Sequence, residues 1–426
     1  MNLDRSIAPA ITDPVAFDFQ LPPINTQVLD NGVPLYWLNA GVQEVAELNW
    51  VFSAGIWQES KPAVAQAVAA LLRNGTATRD ARQLNEALEF YGANLKVQAG
   101  NDHATVILHC LSRHLPVLLP VVQDIICNAT FPAHELDLYR QNTLQRLLVS
   151  LRECEFVANQ KIDAVLFGTE HPYGRFSEKE KIEALQPEDL RAFHKAHFNL
   201  QSAKIFMAGK VGEAEVALIN QYFGQGGQAV STEQASIATP DMPVVQEQIS
   251  NDPDGVQAAI RIGRRFIRRG HPDFPGMVLL NTILGGYFGS RLMSNIREEK
   301  GYTYGIYSSL SPYQHDASLI IHTEVGREVA DDAVKEIYAE LETLRNEPVD
   351  EEELLLVKNY LLGNILGDLD GPFSILQRWR SLILNGFDQE RFQENIRIYK
   401  NITAAELREL ALRYLQPEDF SRIVVI

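Results

Sequence analysis

Cysteine is scarce: Cys110, Cys127 and Cys154 are the only three in 426 residues. Three scattered thiols make neither a disulfide framework nor a Cys-ligated zinc site. Their apolar surroundings mark them as small core residues in a reducing compartment. Positive charge is also short. Against 55 Asp and Glu stand 38 Lys and Arg, giving a net charge of −17. That balance argues against nucleic acid and membrane as partners, and it suits a plain acidic surface or a chamber for basic peptides. Long apolar runs are missing too. The opening MNLDRSIAPAITDP has no hydrophobic stretch of the kind a secretory leader needs, and no run approaches a membrane span. The chain therefore reads as soluble and cytoplasmic, or periplasmic if a leader has been removed. Familiar catalytic spacings are lacking as well. There is no GxSxG elbow, no GK[ST] phosphate loop, and no HxxEH or HxxxH among the ten histidines.

What is present is a repeat. The length implies more than one domain. In the first half, QVLDNGVPLYWL reads as a hairpin turning at Asn31-Gly32. ELNWVFSA alternates, with Leu48, Trp50 and Phe52 on one face and Asn49, Val51 and Ser53 on the other. An Ala-rich helix (62–72) with proline at its start follows. Then come a second helix (82–91), two strands around Gly100-Asn101, and long helices over 115–127, 133–152 and 156–167. A helix over 187–197 and a strand over 202–208 complete the half. Residues 224–245, rich in Gly, Ser, Thr and Pro, have linker composition. Beyond them the order recurs. EALQPEDLRAFHKAHFNLQSAKIFMAG (183–209) is echoed by KNITAAELRELALRYLQPEDFSRIVVI (400–426), and 115–144 by 330–361. The shift stays near 217 residues, too long for a solenoid period. The expected fold is α+β. Two homologous domains, 1–223 and 246–426, each carry a mostly antiparallel sheet with helices on one face.

The most punctuated stretch is GGYFGSRLMSNIREEKGYTYGIYSS, Gly285–Ser309. Gly285, Gly286 and Gly289 suggest a turn, and Ser290 a helix cap. Leu292, Met293 and Ile296 form a buried helix side. Gly301 is a stop, and Tyr302–Tyr307 alternates as a strand. Arg297 near the helix end and Tyr304 early in the strand converge on one spot, where a fixed cation and a phenol suit a developing negative charge. The plainer alternative pairs Arg297 with Glu298 or Glu299 and buries Tyr304. His194 and His197 sit three apart on one helix, a metal spacing that needs a carboxylate partner, and none is evident.

Four segments carry a resemblance: Asn74-Gly75-Thr76, His171-Pro172-Tyr173-Gly174, EALQPEDLRAFHKAHF and SRLMSNIREEKGYTYG. Over nearly the whole chain the sequence resembles the pitrilysin/insulinase family of zinc peptidases, in its small two-domain branch that includes the mitochondrial processing peptidase. The resemblance implies a LuxS/processing-peptidase-like fold and a clamshell of two chains that cleaves peptides inside. It also implies that Arg297 and Tyr304 are the pair that reaches into the active site of the catalytic half, binding peptide and stabilising the oxyanion. Catalytic members carry HxxEH just before the Asn-Gly-Thr turn. Here that motif falls on Gln66-Ala67-Val68-Ala69-Ala70, and the third ligand, a glutamate, falls near Arg146-Leu147. Both histidines and both glutamates are missing. The expectation is a chain without a metal of its own, not an enzyme alone. It would be the non-catalytic subunit of a heterodimeric metallopeptidase whose HxxEH-bearing homologous partner holds the zinc. The alternative is a structural or binding protein on the same fold, like the respiratory core subunits. A third possibility is an enzyme using another site near His194 and His197.

Overall fold

The computed structural model describes residues 13–226, 237–238, 240–252 and 254–426. Residues 227–236 and 239 of the stretch read as a linker lie outside them. The first half runs β1 (Asn25–Val28), β2 (Pro34–Asn39), β3 (Val45–Phe52), α1 (Val64–Leu71), α2 (Ala81–Glu89), β4 (Asn94–Ala99) and β5 (Ala104–Leu111), then α3 (Leu115–Asn128) and α4 (Ala133–Ser150). It continues through α5 (Cys154–Phe167), α6 (Lys179–Glu183), α7 (Pro187–His197), β6 (Lys204–Gly209) and α8 (Glu213–Phe223). The second half runs β7 (Gln246–Ile249), β8 (Gln257–Arg265), α9 (Phe274–Asn281), β9 (Thr303–Pro312) and β10 (Ala317–Gly326). Helices α10 (Ala330–Asn346), α11 (Glu351–Gly367), α12 (Pro372–Leu384), α13 (Gln389–Asn401) and α14 (Ala404–Tyr414) precede the last strand, β11 (Ser421–Val425).

Two sheets result, ordered β1-β2-β6-β3-β5-β4 and β7-β11-β8-β10-β9. All pairs are antiparallel except β2 with β6 and β7 with β11. The repeat is real at the level of elements: a shift of 217 carries α7 onto α14 and β6 onto β11. The hairpin at Asn31-Gly32 forms because Gly32 takes φ +85°, open to glycine at little cost. The Asn31 amide ties that turn to the Phe223 carbonyl at 3.0 Å.

Each sheet buries one face under its own half's helices. The first core gathers Leu48, Trp50 and Phe52 against α1 and α3, and the second gathers Ile260, Ile262 and Ile321 against α10 and α14. The other face is covered by exchange. Helix α5 of the first half packs on β8 and β11, burying Ile162 and Phe167 against Ala259, Ile423 and Val425. Helix α12 of the second half packs on β2 and β6, burying Leu376 and Trp379 against Val51, Phe206 and Ala208. These two helices occupy equivalent places in the repeat. Polar clasps reinforce both. The buried Arg261 of β8 donates to Asn159 of α5 at 2.6 Å, and Arg380 of α12 donates to Asn49 of β3 at 2.7 Å. Burying an apolar side chain of this size is worth roughly 2 kcal/mol. This second layer explains why Asn49 and Val51, on the face of β3 opposite Leu48 and Trp50, are 1% and 3% exposed.

Candidate active-site segment

Helix α9 does not simply end in a glycine turn. Its hydrogen bonding widens into a π-helical turn at Thr282–Gly286, and a second π-helical stretch covers Met293–Glu299. None of Gly285, Gly286 and Gly289 has positive φ, so conformational freedom is not what they supply. Space is: a Cβ on Gly285 would lie 2.6 Å from the Ser308 nitrogen, and one on Gly289 2.8 Å from the Tyr287 ring. Ser290 does not act as a cap, since its hydroxyl is buried without a hydrogen-bond partner. Leu292, Met293 and Ile296 are buried as their spacing predicts, and Gly301 stops the helix at φ +67°.

These constraints place Arg297 and Tyr304 side by side. The Arg297 Nε donates to the Tyr304 carbonyl oxygen at 3.1 Å. Its guanidinium carbon lies 4.5 Å from the centre of the Phe288 ring, and Nη1 lies 3.5 Å from Glu298. The plainer sequence reading is thus half met: Glu298 is a neighbour, but Tyr304 is no core residue. Its side chain is 99% exposed at the start of β9, the edge strand of its sheet. A held cation and a free phenol share one surface, with the exposed Phe288 against the guanidinium. The partners of Arg297, namely Tyr304, Phe288 and Glu298, belong to the second half. π-Helical turns of this kind concentrate at functional sites.

The other sequence-selected place is α1. Gln66 and Ala70 are exposed on one face, four residues apart, while Ala67, Val68 and Ala69 are buried. The surface on which two histidines would stand is therefore present, but its chemistry does not fit zinc. It offers one amide and a methyl group, Ala69 offers no base, Arg146 brings a cation, and Leu147 is buried. Among the described residues no group of three His, Cys, Asp or Glu side chains could hold a metal ion. Beside Gln66 lies a pocket of about 220 Å³ that sequence reading missed, lined by Glu59, Asp163 and Arg175. Burial pushes Glu59 up to about 7 although Arg175 lies 2.9 Å away and opposes it. Burial alone pushes Asp163 up to about 7. Ala63, on the pocket rim, holds φ +68°, a strained conformation for a residue with a Cβ. No local sequence signal marks this pocket, because its walls come from positions 59, 163 and 175.

The remaining motifs resolve into structure. His194 is buried, its Nε2 is 2.8 Å from the Ile126 carbonyl oxygen, and it packs on Phe131 and Phe198. Burial lowers the pKa of both His194 and His197. The Asn74-Gly75-Thr76 turn is held by the Asn74 amide donating to Glu135 at 2.7 Å and the Thr76 hydroxyl donating to Asp124 at 2.7 Å. His171-Pro172-Tyr173-Gly174 joins the halves: Tyr173 donates to Asp102, stacks 4.3 Å from Tyr313 and accepts from the His315 amide. Only Cys110 meets the core expectation for the cysteines. Cys127 is exposed, and Cys154 is half-buried at the edge of the cluster around Val157 and Ile162. Among the described residues no helix is long and apolar enough to cross a membrane.

Known proteins resemble this chain in sequence and fold. A family model described as "Insulinase (Peptidase family M16)" matches residues 42–170, and one described as "Peptidase M16 inactive domain" matches 184–361. An uncharacterized zinc protease of Mycobacterium tuberculosis is 24% identical over 355 residues, 81% of this chain and 80% of that one. A probable mitochondrial-processing peptidase subunit beta of Schizosaccharomyces pombe is 27% identical over 283 residues, 63% and 60% of the two chains. Among solved structures, the peptidase M16 inactive domain from Pseudomonas fluorescens superposes with a TM-score of 0.85 at 23% identity, covering 94% of this chain and 98% of that one. A protease from Helicobacter pylori gives 0.83 at 15% identity, covering 95% and 100%. The two family models together span most of the sequence, and the chain belongs to the M16, or pitrilysin/insulinase, family of peptidases.

Proposed function

We propose that this chain is a non-catalytic peptidase subunit. It closes over a homologous partner that carries HxxEH and zinc, forms half of the chamber, and presents Arg297 and Tyr304 to the peptide. The observation that carries this reading is the exposure of Tyr304, 99%, beside a guanidinium fixed by its own backbone. A phenol left bare on an edge strand adds nothing to the core of its own fold, whereas a donor pair aimed outward suits a carbonyl oxygen supplied by another molecule. The family's motif position supports the rest, since α1 retains its exposed face but none of its ligands.

The experiment is reconstitution with an HxxEH-bearing homologue and an assay of peptide cleavage. Tyr304→Phe and Arg297→Ala are each expected to lower kcat by about a hundredfold, the usual cost of removing one oxyanion donor, with zinc content of the partner unchanged. Full turnover in both variants would sink the assignment and leave a structural or peptide-binding role on the same fold.

A further inference from the structure

The far end of the second sheet holds a feature that the peptidase reading does not use. A cavity of about 750 Å³ opens where the halves meet. Its wall carries Lys204 from the start of β6 and Arg268 and Arg269 from the loop after β8, and no Asp or Glu among the described residues lines it. In a chain of net charge −17, three cations around one acid-free cavity run against the composition. The cleft beside Cys154 shows the opposite and more expected pattern, with Glu153, Glu155, Asp252, Asp254 and Glu324 in its wall.

On β8, Arg264 pairs with Asp419 and the adjacent Arg265 with Asp316. Lys204, Arg268 and Arg269 have no ion-pair partner among the described residues. Burial alone lowers the pKa of Lys204, the sign of desolvation left uncompensated by a nearby negative charge, and burial with the neighbouring Arg378 lowers that of Arg269 although the Tyr399 phenol opposes them. The rim is fixed rather than loose. The Gln314 side chain donates to the Leu384 carbonyl at 3.3 Å, and the Gln314 backbone amide donates to Asp102 of the first half at 3.0 Å. Strand β9 separates this place from Tyr304 by its full length of ten residues, about 30 Å at 3.3 Å per residue.

We propose that this cavity binds a multiply charged anion of the phosphate class across the junction of the two halves. Two guanidinium groups match tetrahedral oxyanions through paired N–H donors, and an ammonium adds a third charge. A single carboxylate would leave two of the three cations unmatched.

Calorimetric titration of the full chain with sodium pyrophosphate tests this, with ionic strength held constant by potassium chloride. Saturable one-site binding is expected, together with a rise in Tm that grows with ligand concentration. The triple variant Lys204→Gln, Arg268→Gln, Arg269→Gln is expected to lose at least about tenfold in affinity, a difference of roughly 1.4 kcal/mol. Lys204→Gln alone, which keeps both arginines, is expected to retain weakened binding, and its Tm without ligand serves as the check on folding. No saturable heat overturns the proposal. So does unchanged affinity in the triple variant, or citrate binding as tightly as pyrophosphate. The titration uses this chain alone, so its outcome is separate from that of the cleavage assay.

Discussion

Helix α2 with β4 in the first half and the π-helical stretch Met293–Glu299 with β9 in the second fill the same slot of the repeat. Each precedes an edge strand. The first version is regular: Asp80 caps α2 by accepting from the Gln83 amide at 2.8 Å, and the Gln83 side chain accepts from the Asp80 amide in return. The second version has no such cap, winds one residue wide and leaves Phe288 and Tyr304 bare. Where the first copy satisfies its local rules, the second departs from them around its two chemically interesting side chains. Such departures are expected at sites kept for function rather than stability. The same asymmetry holds at α1. In the first half α1 serves as packing, with Ala67 and Val68 in the core and Gln66 and Ala70 on its exposed face.

The largest effect that would sharpen this comparison is the kcat loss at Arg297 and Tyr304 described above, for which no equivalent exists in the first half. Next come the exchanged helices. Ile162→Ala in α5 and Leu376→Ala in α12 are each expected to cost about 3 kcal/mol, as large-to-small changes in closed cores do. Because each helix belongs to one half and covers the other, urea unfolding followed by fluorescence and by circular dichroism should show one coincident transition. Two separate transitions would break the claim that exchange couples the halves.

A smaller effect distinguishes the two exchanged helices from each other. The 217-residue shift places Asp163 of α5 opposite Arg380 of α12. Arg380 donates to Asn49, while Asp163 stands with its carboxyl pushed up to about 7 by burial alone. The unfolded chain loses this proton near pH 4. Between about pH 4 and 7 the folded state therefore holds a proton that the unfolded state has released, and stability falls as pH rises through that window. Asp163→Asn should flatten part of this slope and gain on the order of 2 kcal/mol at pH 8, measured by denaturant titration at a series of pH values. Glu59, also raised to about 7, should leave a residual slope of the same sign. Smallest of all, Asp80→Ala should cost about 1 kcal/mol. Ser290→Ala should stay within about 0.5 kcal/mol of wild type, since its hydroxyl makes no bond. Equal losses would contradict the contrast between a capped and an uncapped copy.

Much of this was legible in the sequence, for local reasons. Asn31-Gly32 marked its hairpin, Gly301 its stop, and the shift of the repeat located α14 and β11. What was not legible came from distance. Nothing local to β3 shows that the face bearing Asn49 and Val51 is covered too, because the helix covering it starts at Pro372. Residues 1–26 are proline-rich and show no regular period, yet within them Phe19 is 1% exposed, and the Trp379 indole donates to the Pro22 carbonyl at 2.7 Å. The π-helical turns have no period of their own over so few residues, so a helix with a glycine start was the natural expectation. Glu59, Asp163 and Arg175 escaped notice because their pocket exists only after the chain has folded.

The exchange of α5 and α12 also bears on how the protein is made. A nascent chain emerges from the ribosome at about 5–20 residues per second. Once Phe223 is out, the first sheet has all its strands, but its second face lacks α12 for roughly ten to thirty seconds more. Throughout that interval Val51, Phe206 and Ala208, which end in the core beneath α12, face water. The amino-terminal half thus finishes folding only after the carboxy-terminal half has been translated, which makes the growing chain a client for holding chaperones and makes translation speed a variable in its yield.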